Sequence, residues 1–396
     1  MSNGPNRKNW LERHPKKVLF LLIFLVVASL AVLTEKILAV KAKGLRHPGV
    51  AKRYIKLREF EPRYADILTP GPEALRISDS LVAKGYVLRI DENGFIMPSR
   101  VHDTPDLTVA FLGGSTTECV YVDEENRFPY LAGRLLEQKT GLQVNSYNAA
   151  KSGNNSLHSL NILLNKIVPL HPQLVMMMHN INDLSILLYE KTYWNQHPSR
   201  SPILEQKLSF KTVMKNLEDT AHMIRDLTFP NLSGALRRLF HFHFGAPADE
   251  FKEVRGQKVS IDQGHLVAQF SLNLQTFVNL CRARGITPVL MTQPSRLTES
   301  PDALIAQLMK TMEKEQGITY KQFKEAFDLF NDTIRELGAR NRVLVIDLAQ
   351  QIPATRENLC DVAHFNDTGS RLVAHTIADV LSPVALSMTK PPGPVK

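Results

Sequence analysis

Short apolar runs alternate along this chain with longer stretches whose apolar residues recur at helical spacing. Leu107–Leu112, Val144–Ala149, Leu174–Met178, Thr287–Thr292 and Val343–Leu348 each have the length of a buried strand. Between them, Phe128–Lys139, Leu157–Ile167, His265–Arg284 and Tyr320–Leu337 carry the periodicity of amphipathic helices. In the third of these, Leu266, Phe270, Leu274, Phe277, Val278 and Cys281 fall on one face. Gly141, Gly285, Gly338 and Pro169 stand where helix stop signals belong, and a last helix near Ser370–Leu381 closes the series. Such alternation implies right-handed crossovers, hence an α/β domain with a parallel sheet and helices on both faces. Active sites in sheets of this kind lie beyond the carboxyl ends of the strands.

Elsewhere the pattern changes. Val18–Leu33 carries no charge and follows Lys16-Lys17. With Thr34 it approaches the ~20 residues that cross a bilayer. No small-residue cleavage site follows promptly, Val40-Lys41-Ala42 being a poor match. Residues 18–34 are therefore expected to be a retained transmembrane anchor, with a cleaved signal peptide as the alternative and a core helix as the bland reading. A basic tail, 1–17, precedes it. Residues 35–104 read as a juxtamembrane stalk, Pro-rich at Thr69–Pro72, followed by a hairpin at Tyr86–Ile96 around Asn93-Gly94. The α/β domain is expected over 105–386 and a Pro-rich tail over 387–396. Within the domain, residues 185–264 are too many for an ordinary loop and contain helical patterns at Phe210–Leu227 and Leu236–Phe242. They are expected to form a mostly helical cap beside the active edge, with Trp194, Phe210 and the Phe240–Phe244 stretch as its aromatic contributors.

The formal net charge of +9 suggests a polyanionic partner, but its distribution argues against nucleic acid. Residues 1–60 carry 13 Lys and Arg against 3 Asp and Glu; the remainder carries 35 against 36. Basicity thus flanks the apolar run, as at a membrane, and the body is neutral. Lys and Arg are similar in number on both flanks, so orientation rests on the short N-terminus. Such a terminus ordinarily stays inside and leaves the body extracytoplasmic, in a bacterium periplasmic. Cys119, Cys281 and Cys360 are too few to indicate a redox compartment; a Cys119–Cys360 disulfide is one expectation and two small apolar side chains the default.

Four polar segments follow expected strands. Phe111-Leu-Gly-Gly-Ser-Thr-Thr-Glu118 offers Ser115 as a nucleophile, although Ser-x-x-Glu is also a helix capping box. Asn148-Ala-Ala-Lys-Ser-Gly-Asn-Asn155 offers the Gly153 N–H as an oxyanion donor, or is a plain polar turn. His179-Asn-Ile-Asn-Asp183 offers the Asn182 side chain, or an Asx turn. Cys360-Asp-Val-Ala-His-Phe-Asn-Asp-Thr-Gly369 spaces Asp361 and His364 so that the carboxylate can fix the imidazole tautomer and leave the other nitrogen as a base. Each segment alone is weak. Together, on one edge of one sheet, they supply a serine, a base with its orienter, and oxyanion donors, which is what acyl transfer requires. His241 and His243 lack a third metal ligand nearby, and Met176–Met178 reads as buried strand; no metal and no cofactor are expected.

In this order the four segments resemble the conserved blocks of the SGNH (GDSL) hydrolases, over about residues 105–385. The resemblance implies a flavodoxin-like three-layer sandwich and a membrane-anchored bacterial-type serine esterase or deacylase. Ser115 would be the nucleophile, His364 the base and Asp361 its orienter; the Ser115 N–H, Gly153 N–H and Asn182 side chain would form the oxyanion hole. The substrate would be an acyl ester, of a glycan or a lipid. Two departures stand out. Asn180 occupies the glycine position of the G-x-N-D block, and Gly-Gly-Ser-Thr replaces Gly-Asp-Ser-Leu, a variant associated with extracytoplasmic members. The G-x-S-x-G elbow of α/β-hydrolases is absent. The alternatives are an acyltransferase, moving an O-acyl group to or from a glycan, and a catalytically idle interaction protein on the same fold.

Overall fold

The computed structural model describes residues 14–41, 52–195, 200–206, 256–389 and the isolated positions 217, 220 and 221. Phe210, His241, His243, the Phe240–Phe244 stretch and nearly all of the two helical patterns expected in the insertion lie outside the described residues. The chain divides into two units, residues 1–53 with 205–217 and residues 54–204 with 218–396.

In the first unit, α1 (Pro15–Lys41) is apolar on all sides. Its Leu, Ile, Val and Phe side chains are exposed from Leu19 to Leu38, so no protein core uses them. The apolar stretch, Pro15–Leu38, is longer than 18–34 because Thr34, Glu35 and Lys36 do not end the helix. The Thr34 hydroxyl donates back to the Leu30 carbonyl at 2.8 Å. At 1.5 Å per residue the 24 residues span about 36 Å, enough to cross the roughly 30 Å hydrocarbon layer. The same length and position suit a signal sequence.

The second unit opens with an antiparallel pair, β1 (Ala65–Leu68) and β2 (Tyr86–Arg89), in register Ala65 with Arg89. The expected turn at Asn93-Gly94 is present: Asp91 Oδ1 accepts from the N–H groups of Asn93 and Phe95, and Gly94 takes a left-handed φ of 81°. The hairpin ladder is not. Only the bridge Ile90–Ile96 forms across that turn, because β2 pairs with β1 and Ile96 bridges to Asn148 at the edge of the main sheet.

The main sheet has five parallel strands, β3 (Leu107–Gly113), β4 (Val144–Asn148), β5 (Leu174–Met178), β6 (Thr287–Met291) and β7 (Leu344–Ile346), in the order β4-β3-β5-β6-β7. Phe111 is level with Asn148 on one side and Met176 on the other, so the carboxyl ends of the strands align. Every residue of β3 and β5 is buried, which is why both read as unbroken runs rather than alternating ones. The period of two still sorts their side chains. Val109, Phe111, Met176, Met178, Val289 and Met291 face one layer. Ala110, Leu112, Val175, Met177 and Leu290 face the other.

Among the described residues, seven helices of more than one turn flank or follow these strands, with the one-turn α2 (Ser115–Glu118) after β3. On the first face α3 (Phe128–Thr140) and α9 (Asp367–Thr389) pack with Phe128, Leu136, Ile377 and Leu381 inward. On the second lie α4 (Ser156–Ile162), α5 (Ile181–Glu190), α6 (Gln263–Ala283), α7 (Ala303–Gln316) and α8 (Tyr320–Asn341). Caps start these helices: Asp262 and Asp302 accept from the third backbone N–H, and Thr319 with Gln322 forms a reciprocal capping box. The expected single helix over 157–167 is broken into α4, a π turn at Leu163–Ile167 and a 3-10 turn at Val168–Leu170, where Pro169 stops it. α9 runs past the expected end at Leu381 and through Pro383.

The stacked pair Phe270–Phe330, with centroids 4.4 Å apart, joins α6 to α8, and both rings are fully buried. Phe330→Ala is expected to lower unfolding stability by about 3–5 kcal/mol, read by thermal or urea denaturation. A cost under about 1 kcal/mol would mean that this layer collapses around the gap.

Candidate active site

All four chemistry-bearing segments reach the carboxyl edge, around the point where the strand order reverses at β3. β3 ends at Gly113, and Gly114 then caps α2. Close approach makes both glycines necessary. A Cβ on Gly113 would lie 2.2 Å from Thr117 Oγ1, and one on Gly114 would lie 2.2 Å from Asn182 Nδ2. Ser115 is the first residue of α2, not its cap. Its partner is not Glu118, which is buried and accepts from the Ser152 hydroxyl instead; burial pulls the Glu118 carboxyl pKa up.

The Ser115 hydroxyl meets His364 Nε2 at 2.7 Å, and His364 Nδ1 meets Asp361 Oδ2 at 2.7 Å. Asp361 Oδ1 accepts from the N–H groups of Ala363 (2.9 Å) and His364 (2.8 Å), so the carboxylate and imidazole are locked within one turn. The turn is closed at its base by Cys360 N–H donating to the His364 carbonyl and by a Leu359–Phe365 bridge. Asp361 is 14% and His364 44% exposed at the side chain. Burial opposes ionisation of Asp361, but the imidazole and the two N–H groups outweigh it and hold the pKa below the usual carboxylate value. Burial likewise works against the imidazolium, yet the Asp361 charge and hydrogen bond prevail, and the His364 pKa is raised above 6.5.

Gly153 has a φ of 75°, a left-handed turn that a side chain would strain. Among the described residues, neither the Gly153 N–H nor the Ser115 N–H donates to a protein acceptor. Asn182 Nδ2 donates to the Asn154 carbonyl at 2.8 Å, which uses one of its two N–H bonds and fixes the amide beside Gly114. Arg58 buttresses the Gly153 turn from outside, donating to the carbonyls of Gly153 (2.9 Å) and Ser152 (3.2 Å).

The asparagine at the block's glycine position turns away from this cluster. Asn180 Nδ2 donates to the Phe327 carbonyl (2.8 Å) and Asn331 Oδ1 (3.1 Å) on α8, and Asn331 is bonded in turn to the backbone of Gln293 after β6. Asp183 is buried and accepts from Ser156 N–H and from the hydroxyls of Ser156 and Tyr193, so it ties α5 to the start of α4. Nothing in the sequence marks Arg58, Asn331 or Gln293; they are ordinary polar residues far along the chain from the segments they support.

Two cavities open from Ser115. A small one, about 150 Å³, is walled by Ala74, Ile77, Leu81, Val120, Tyr121 and Phe365 together with Cys119 and Cys360. Both thiols are free, so the disulfide alternative is not realised and the two cysteines serve as apolar wall. The larger cavity, about 600 Å³, runs along α5, α7 and α8 past Ile181, Ile186, Leu308, Met309, Met312 and Phe323, and Tyr189 and Arg200 from the insertion also line it. Trp194, the described member of the expected aromatic set, is exposed and lines neither cavity.

No curated protein matches the chain in sequence. Solved structures that resemble it include a lipase/acylhydrolase from Enterococcus faecalis, at 16% identity over 70% of this chain and 96% of that one, with a TM-score of 0.40. A GDSL-like lipase from Bacteroides thetaiotaomicron has 11% identity over 70% and 89%, with a TM-score of 0.37. An acetylxylan esterase from Geobacillus stearothermophilus has 12% identity over 69% and 93%, with a TM-score of 0.38. The family model of the GDSL-like lipases and acylhydrolases matches residues 111–372, from within β3 to within α9. That stretch is well over half of the chain and includes all four segments: the chain belongs to the GDSL-like lipase/acylhydrolase family and is an ester-bond hydrolase of the SGNH type.

Proposed function

We propose that the chain cleaves a carboxylic ester carrying an apolar chain, through an acyl-enzyme on Ser115. The observation that carries this reading is the pair of 2.7 Å contacts linking Ser115, His364 and Asp361 across a sequence separation of 249 residues. A serine hydroxyl is almost wholly protonated at neutral pH, so attack requires a base within hydrogen-bond reach. In the proposed reaction Ser115 Oγ attacks the ester carbonyl while its proton passes to His364 Nε2. Asp361 stabilises the resulting imidazolium. The oxyanion is held by the N–H groups of Ser115 and Gly153 and the remaining N–H of Asn182. Collapse breaks the ester bond, and the alcohol leaves with the proton from His364. Water then repeats the sequence on the acyl-Ser115, and the carboxylic acid departs.

The walls of the larger cavity favour a lipid-like ester over a sugar, which would need a hydrogen-bond partner for each hydroxyl. A volume of about 600 Å³ lies within the range of small-molecule sites. The N-terminal helix fits a retained anchor with the catalytic unit outside the cytoplasm, where it would meet amphiphilic substrates at the membrane surface. The domain limits read from the sequence, 105–386 with an insertion at about 185–264, belong to this same proposal.

Three outcomes follow. In assays of aryl esters, Ser115→Ala and His364→Ala are expected to lower kcat by about 10⁶-fold, and Asn182→Ala by about 10²–10³-fold with KM little changed. Unchanged hydrolysis by folded Ser115→Ala would refute the nucleophile assignment. The pH profile supplies a second check. A protonated His364 cannot accept the serine proton, so kcat/KM should fall as pH drops through its pKa, with the limb above 6.5. Asp361→Asn removes the charge that raises this pKa; the limb should move to lower pH and kcat should drop by up to about 10⁴-fold. A limb that stays put would show that Asp361 does not face the base in solution. Third, kcat/KM for p-nitrophenyl esters should climb about fourfold per added methylene until the cavity is filled, as expected for ~0.8 kcal/mol per buried CH₂. A maximum at acetate would reverse the choice between lipid and glycan.

A further inference from the structure

We propose that Arg296 is a positioning residue that sets the separation of His364 from Ser115. The proposal rests on the assignment of those two residues given above. Arg296 lies five residues beyond β6, with a side chain only 1% exposed and acceptors around it. Nη1 and Nη2 donate to the two carboxylate oxygens of Asp79 at 2.7 and 2.8 Å. Nε and Nη2 donate to Asp302 Oδ2 at 3.1 and 2.5 Å, and Nη1 also reaches the Leu359 carbonyl at 3.3 Å. The backbone N–H of Arg296 donates to the Val362 carbonyl at 2.8 Å.

Three segments are thereby joined. Asp79 belongs to the stretch that walls the small cavity through Ile77 and Leu81, and its own N–H donates to the Cys360 carbonyl at 3.0 Å. Asp302 caps α7, whose Leu308, Met309 and Met312 wall the large cavity. Leu359 to Val362 frames the turn that carries Asp361 and His364. Only a planar guanidinium has enough donors in the fork geometry needed to serve all three; a lysine ammonium has three and no fork.

The division of labour is specific. Asp361 and His364 are bonded to each other inside one turn, so their mutual geometry survives a rigid shift of that turn. Ser115 stands on a different element, after β3. A displaced turn therefore changes the Oγ–Nε2 separation first. The charged groups that face the imidazole, Asp361 and Glu118, are unaltered by a change at Arg296 or Asp79.

The test uses Asp79→Asn and Arg296→Lys in the full chain. Both are expected to lower kcat and the rate of Ser115 phosphonylation by a fluorophosphonate about 10- to 100-fold, as for a misplacement of about 1 Å. KM and the acid limb of the pH profile should stay where they are. A crystal structure of Asp79→Asn should show a lengthened Oγ–Nε2 separation with the Asp361–His364 contact intact. Turnover within twofold of wild type in a folded variant would overturn the proposal, as would a loss of turnover accompanied by a moved acid limb. If Arg296→Lys does not fold, Asp79→Asn keeps the guanidinium and an isosteric acceptor and decides alone. A wild-type chain inert to esters and to the probe would sink the catalytic reading instead; the crystallographic separation would still decide the role of Arg296.

Discussion

The contact between Ser115 and His364 joins two loops that share no hydrogen-bonded secondary structure, and its usefulness depends on tenths of an ångström. Each loop must therefore be fixed from its own side. On the serine side the fixing is steric: the backbone of Gly113 and Gly114 lies so close to Thr117 of α2 and to Asn182 that no side chain fits between. On the histidine side it is electrostatic: a turn closed by four internal hydrogen bonds is pinned to its surroundings by a buried cation. The sheet supplies the common frame, since parallel strands in register bring both loops to the same edge.

Polar groups buried behind the site follow the same logic. Asp183 sits in the interior, where an unpaired carboxylate would cost several kcal/mol. It is tolerated because Ser156, at the start of α4, and Tyr193, just beyond α5, donate to it. Asn180, at the position where the family pattern has glycine, is accommodated because α8 offers two acceptors on the side away from the cleft. The departure thus strengthens the attachment of the third loop to the helical layer and leaves Asn182 facing Ser115's neighbours.

How far this was legible in the chain differs between levels. Central strands such as Leu107–Gly113 and Leu174–Met178 were readable because burial on both faces requires uninterrupted apolar residues. The site segments were readable because each follows a strand, so topology converts four weak local patterns into one location. What failed was local reasoning applied where tertiary pairing decides. Tyr86–Arg89 carries a hairpin's turn signal but finds its partner at Ala65–Leu68, on the far side in sequence, and the last helix continues beyond Leu381 to Thr389. Supporting residues were hidden for a different cause. Arg58, Asn331, Gln293 and Arg296 act through contacts 95 to 217 residues away, and nothing in their neighbourhoods announces it.

The two cysteines in the small cavity have a chemical consequence of their own. Burial pushes the Cys119 thiol up to about 12 and raises Cys360 as well, so at neutral pH both are almost entirely protonated. Thiol–disulfide exchange and alkylation proceed through the thiolate. A chain exported to oxidising surroundings would keep these sulfurs as inert lining, and electrophiles that silence cysteine enzymes would pass them by while serine-directed ones found their target in the same cavity.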